Sequence, residues 1–108
     1  MLMKVSAVLM GAVALTFSAV ASADLALAKK SGCLACHSIE KKIVGPAWKD
    51  VAARYKGDAS ARAALIAKVK KGGKGKWTAV VGSAVMPPYS PRVKDADIEK
   101  LVDFVLSL

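Results

Sequence analysis

The chain has 108 residues and a net charge of +9. This length suits one small domain, and a single histidine with two cysteines is too few for a four-ligand zinc site. A domain this short buries only about 60% of its unfolded surface and usually needs something beyond side chains to complete its core.

Residues 1–23 have the pattern of a secretory signal: Lys4, then an uncharged stretch that ends in the small residues Ala21 and Ala23. We expect cleavage after residue 23, leaving a mature domain, 24–108. Only Lys4 is lost, so the net charge becomes +8. Cleavage predicts a periplasmic protein without a stable membrane anchor, for which nucleic acid is an unsuitable partner. The alternative is an uncleaved anchor, because the uncharged stretch is just long enough to span a bilayer.

The mature chain begins with a predicted short helix capped by Asp24. It leads into Cys33-Leu34-Ala35-Cys36-His37, a C-x-x-C-H motif. Two thiols at this spacing can both join the vinyl groups on one edge of a haem, and the following imidazole can ligate the iron. A thioredoxin-like pair would need β-strands that the sequence does not predict. A plain disulfide would leave the position of His37 unexplained.

Two further helices are predicted next, over 47–56 and from an N-cap at Ser60 to a stop at Gly72-Gly73. The apolar side of the second of these consists of Ala63, Leu65, Ile66 and Val69. A last helix begins near Asp95, with an apolar stripe at Ile98, Leu101, Val102, Val105 and Leu106. The sequence thus predicts an all-α domain.

Met86 is the candidate for the second axial ligand. The other methionines all lie in residues 1–23, so Met86 is the only thioether of the mature chain. Pro87 and Pro88 follow it, and two prolines suit a rigid loop that presents one sulfur to a metal. Taken alone, such a methionine could equally fill a gap in the core.

Together these segments resemble the class I cytochromes c of the small bacterial monohaem type. The matching segments, in order, are 30–37, 44–52, 70–77 and 86–88, followed by the last helix. The resemblance implies a cytochrome c fold of about four short helices around one covalently bound haem c. It also implies that the carbonyl of Pro46 accepts a hydrogen bond from His37 Nδ1 and that the Trp77 indole donates to a haem propionate, although Trp77 could instead be a packing aromatic.

The sequence departs from this family pattern at two places. The spacing between Trp77 and Met86 is longer than in compact relatives, with 78–81 as the apparent insertion. Tyr89 stands where close relatives often have an asparagine.

These features predict an electron-transfer protein rather than an enzyme. A haem held by His37 and Met86 has no open position for a substrate, so we expect a diffusible, monomeric one-electron carrier. The alternatives are a tightly bound haem subunit of a periplasmic dehydrogenase or reductase, and a sensor or peroxidase in which Met86 dissociates. Lysines that could steer an acidic redox partner, or merely keep the surface solvated, are Lys41, Lys42, Lys68, Lys70, Lys71, Lys74 and Lys76.

Overall fold

The computed structural model describes residues 14–108, and within that range the chain is helical and contains no β-strand. This confirms the predicted all-α class. The elements in chain order are α1 (Ala14–Lys30), a 3-10 helix (Cys33–Ala35), α2 (Trp48–Arg54), α3 (Ala61–Lys71), α4 (Thr78–Val81) and α5 (Asp95–Leu106). The described part therefore has five α-helices where about four were expected. The added one, α4, occupies the stretch that the sequence marks as an insertion.

Helix α1 begins before the predicted cleavage site and continues through it. Asp24 lies inside α1 and so caps no helix in the full chain; the capping role predicted for it concerns the cleaved domain and stays a prediction. Alanines and leucines on both sides of Asp24 favour helix, and the helix continues through this position. Residues 1–13 of the predicted signal lie outside the described residues. Within 14–108, no helix combines the length and apolarity needed to cross a bilayer.

The ends of α2 and α3 lie close to where the sequence places them. Ser60 is the residue before α3, but its side chain caps nothing. Instead, the Asp58 carboxylate accepts hydrogen bonds from the Ser60 N–H at 2.9 Å and the Ser60 hydroxyl at 2.6 Å. Gly72 ends α3 with a φ of 68°. Ala63, predicted on the apolar side of α3, is exposed, whereas Leu65, Ile66 and Val69 of that side pack against the core.

Helix α5 organises the core, because α1, α2 and α3 all pack against it. Its residues enter two groups of buried side chains. The first cluster contains Ala28, Cys33, Trp48, Leu101 and Phe104. The second cluster contains Tyr89, Val93, Ile98 and Val102, with Leu65, Ile66, Val69, Met86 and Leu106 packed against it. The predicted stripe of α5 is confirmed at Ile98, Leu101 and Val102, and Phe104 extends it toward α1.

Candidate functional site

An apolar cavity lies between the two clusters. It encloses about 1110 Å³, counting its open mouth, and its walls include Cys33, Cys36, His37, Trp77 and Met86. Leu101, Val102 and Val105 of α5 also line the cavity. The side chains that the sequence singled out thus meet in one place, although they are drawn from segments up to 53 positions apart (Cys33 to Met86). A domain this short needs something beyond side chains to complete its core, and this cavity is where such a group would lie.

His37 is fixed on two sides. Its Nδ1 lies 2.8 Å from the carbonyl oxygen of Pro46, the contact that the family resemblance implies. A carbonyl can only accept, so Nδ1 carries the proton and Nε2 of the neutral ring is left available to bind a metal. Trp48 stacks on the imidazole with ring centroids 5.5 Å apart and an angle of 23° between the planes.

Burial lowers the pKa of His37, and the hydrogen bond to Pro46 opposes that shift in part. The ring is therefore kept neutral, as ligation requires. Gly45 makes the close approach of the loop to this ring possible. A Cβ at Gly45 would lie 2.5 Å from His37 Cε1, a distance that non-bonded carbons do not adopt.

Cys33 and Cys36 lie at either end of the turn that follows α1. The 3-10 helix begins at Cys33, and the N–H groups of Cys36 and His37 both donate to the Cys33 carbonyl, at 3.2 and 3.0 Å. No disulfide links these two thiols, which are the only cysteines in the sequence. Cys33 is buried in the first cluster, and this burial raises the pKa of its thiol.

Met86 reaches the cavity from a loop held against the end of α3. Its N–H donates to the Gly73 carbonyl at 3.2 Å, and the Gly73 N–H donates back to the Met86 carbonyl at 2.7 Å. The side chain is half-buried and packs on the second cluster. Its position in the cavity wall makes the Met86 sulfur available as a candidate ligand.

Trp77 forms part of the cavity wall, and sequence reasoning missed the residue that holds it. The Arg54 guanidinium lies 4.7 Å from the centroid of the Trp77 ring, and its Nη1 donates to the Lys76 carbonyl at 2.7 Å. An arginine at the last turn of α2 thus fixes the loop before Trp77. Only the tertiary fold brings these residues together, so no local pattern predicts the pair.

Tyr89 is buried in the second cluster and lines the cavity, with the Arg92 guanidinium 4.9 Å from its ring centroid. Burial, and to a smaller extent the nearby cysteines, raise the pKa of its hydroxyl. The residue therefore presents a neutral phenol to the site.

The donors and walls fit a haem. The cavity combines a neutral imidazole with a free-facing nitrogen, a thioether, two thiols on one turn and predominantly apolar walls. Soft sulfur and imidazole donors suit iron in a macrocycle, and the apolar walls suit its large hydrophobic faces.

Comparison with known proteins gives the same class. A family model described as cytochrome c matches residues 25–108. The chain is 54% identical to cytochrome c-551 of Allochromatium vinosum over 95 residues, which cover 88% of this chain and 96% of that protein. It is 45% identical to cytochrome c-552 of Nitrosomonas europaea over 95 residues, covering 88% and 87%.

Solved structures agree. The crystal structure of wild-type Nitrosomonas europaea cytochrome c552 aligns with a TM-score of 0.69 and 45% identity, covering 78% of this chain and 98% of that one. A class 1 cytochrome from Sideroxydans lithotrophicus aligns with a TM-score of 0.63 and 30% identity, covering 80% and 92%.

The chain belongs to the cytochrome c family. More particularly, it is a small class I monohaem cytochrome c, an electron-transfer protein that carries one covalently attached haem c. The family resemblance in the sequence is thereby confirmed.

Proposed function

We propose that this protein is a periplasmic one-electron carrier whose haem is attached through Cys33 and Cys36 and ligated by His37 and Met86. One observation carries the proposal: a single apolar cavity gathers these four side chains. The haem, when bound, supplies an iron that accepts and releases one electron. The chain's own residues determine how that iron is held and which surface reaches a partner.

His37 and Met86 act by staying in place. The Pro46 carbonyl and the Trp48 ring fix the imidazole, and the Gly73 backbone holds Met86. Ligands that do not move on oxidation or reduction keep the reorganisation small, and ligation by methionine raises the reduction potential. Pro46 would also tune the basicity of His37 through its hydrogen bond. Trp77, in the cavity wall, would donate its indole N–H to a propionate.

The charge distribution favours an acidic redox partner. Residues 59–94, which supply Lys68, Trp77 and Met86 to the cavity, contain eight basic residues and no acid. Only two of these basic residues, Arg62 and Lys70, have a carboxylate partner within ion-pair distance in the described structure. The others can attract a carboxylate-rich surface and speed the encounter.

Exposed apolar side chains also line the cavity. Val85, within residues 59–94, is 57% exposed, and Val44, close to Lys41 and Lys42, is 48% exposed. Exposed valines at the mouth would give a partner dry contact close to the haem, while the surrounding lysines orient it. A monomeric carrier that docks transiently in this way needs no permanent interface.

The attachment is tested by expressing the full chain with a haem-maturation system and staining a denaturing gel for haem. We expect wild type to keep its haem after denaturation and Cys33→Ser/Cys36→Ser to lose it, with Ser31→Ala as an unaffected control. Haem that survives denaturation in the double variant would refute the assignment of these thiols.

Location and ligation need separate measurements. N-terminal sequencing of the periplasmic fraction should begin at Asp24, whereas a retained Met1 in the membrane fraction would indicate an anchor.

Reduced wild type should not bind CO, and reduced Met86→Ala should. Ready CO binding by wild type would instead favour a sensor with a dissociable Met86.

A further inference from the structure

We infer that Gly72 and Gly73 are positioning residues for Met86. They act as a main-chain clamp between the end of α3 and residues 86–90, which we call the ligand loop. The inference rests on the proposed ligand role of Met86. It concerns how the sulfur is held at its place in the cavity.

Every main-chain N–H of the ligand loop donates to a carbonyl of residues 69–73. Pro87 and Pro88 have no N–H, so residues 86–90 possess only three. Met86 donates to Gly73, Tyr89 to Val69 at 3.1 Å and Ser90 to Lys70 at 3.3 Å. With the bond from Gly73 N–H back to the Met86 carbonyl, the loop is tied to α3 by its backbone.

Gly72 allows the two segments to approach this closely. A Cβ at Gly72 would overlap the Met86 carbonyl oxygen and would lie 2.7 Å from both Pro87 C and Pro88 N. Those are backbone atoms of a proline pair, which cannot rotate away as the tip of a side chain can. A side chain at position 72 must therefore push Met86 and its prolines away from α3.

Gly82 supplies a matched control. Its φ of 63° and ψ of −127° resemble the 68° and −161° of Gly72, and both glycines end a helix. An alanine at either site is strained by a positive φ. Only at Gly72, however, would the added methyl group meet the ligand loop, since nothing lies within 4 Å of a Cβ at Gly82.

The test compares Gly72→Ala, Gly82→Ala and wild-type holoprotein. The readouts are the long-wavelength charge-transfer band of methionine bound to ferric iron, the apparent affinity for imidazole, and the thermal midpoint. We expect Gly72→Ala to lose most of the band and to bind imidazole at least ~10-fold more tightly, because imidazole then competes with a displaced sulfur. Gly82→Ala should keep the band and the wild-type imidazole affinity despite a lowered thermal midpoint.

An unchanged band and imidazole affinity in Gly72→Ala would overturn the inference, as would an equal loss in both variants, which would indicate general loop strain. A wild type that lacks the band and matches Met86→Ala would instead overturn the ligand role itself.

Hydrogen exchange in wild type tests the clamp even if Gly72→Ala fails to fold. Imidazole should displace Met86 and thereby speed exchange at the Gly73 and Met86 amides together. The Trp48 amide, bonded to Ser38 on the other side of the cavity, should keep its rate. Unaltered protection at Gly73 would show that the sulfur moves independently of the clamp.

Discussion

The two sides of the cavity hold their proposed ligands by different physical means. His37 is held by its side chain, through a hydrogen bond to Pro46 and a stacked ring on Trp48. Met86 is held by its backbone, through the pairing with Gly73. An imidazole has a second polar atom and a flat face that neighbours can grip. A thioether has neither, so its position must be set by the chain that carries it.

The largest expected effect is at Trp48, which joins His37 to Phe104 through an edge-on contact with ring centroids 6.1 Å apart. Trp48→Ala should lower the free energy of unfolding by about 3–5 kcal/mol in denaturant titration. It should disturb the His37 side and leave the Met86 charge-transfer band intact. Ile98 is fully buried in the second cluster, against which Met86 packs, so Ile98→Ala is the matched variant and should cost about 2–5 kcal/mol while weakening that band. Equal effects on the band would remove the distinction between the two sides.

Gly45→Ala comes next. The added methyl group would collide with the His37 ring, so the ring or the loop must shift, at about 1–3 kcal/mol of stability. We expect an altered iron–histidine stretching frequency in the resonance Raman spectrum of the reduced, photolysed CO complex of Gly45→Ala/Met86→Ala, compared with Met86→Ala alone. Identical frequencies would mean that Gly45 has no part in orienting the ligand.

Arg54→Met tests the loop before Trp77. It removes a cation–π contact and one hydrogen bond at an exposed site, which together contribute about 1 kcal/mol. Limited proteolysis should then cut more rapidly between 72 and 77, and Arg54→Lys, which keeps the charge, should lie between the variant and wild type. Unchanged cleavage would show that the loop is held without Arg54.

The smallest effect is expected from the exposed ion pair of Arg62 and Asp103, which joins α3 to α5 at 2.7 Å. Exposed pairs contribute little and are screened by salt. Arg62→Met should shift the denaturation midpoint slightly at low salt, hardly at all in high salt, and change neither ligand's spectroscopic signature. A change in either signature would mean that the α3–α5 contact positions the ligands, rather than the local contacts around His37 and Met86.

The sequence predicted the candidate ligands better than it predicted the contacts that hold them in place. The C-x-x-C-H motif and the lone methionine of 24–108 are local and chemically specific, so the candidate ligands followed from residue types alone. The helices near 48–54, 61–71 and 95–106 followed from periodicity and from glycine stops.

The contacts that hold the candidate ligands could largely not be predicted from local sequence patterns. Each contact joins residues that are far apart in sequence. Trp48 stacks on His37 across 11 positions, Gly73 pairs with Met86 across 13, and the Arg54 guanidinium contacts the Trp77 ring across 23. In the full chain, helix α1 runs through Asp24 because the residues on both sides favour helix, and the capping role predicted for Asp24 after cleavage stays a prediction. Helix α4 was missed because four residues give no period to read.

The central claim, that Met86 and His37 are the axial pair, is most directly tested by proton NMR of the reduced mature protein with methyl-labelled methionine. Because Met86 is the only methionine of residues 24–108, the spectrum contains one labelled resonance. Ligation places that methyl group over the haem face, so we predict a resonance far upfield of an ordinary methionine, absent in Met86→Leu. A labelled methyl resonance at the ordinary methionine position in the reduced wild type would contradict the account.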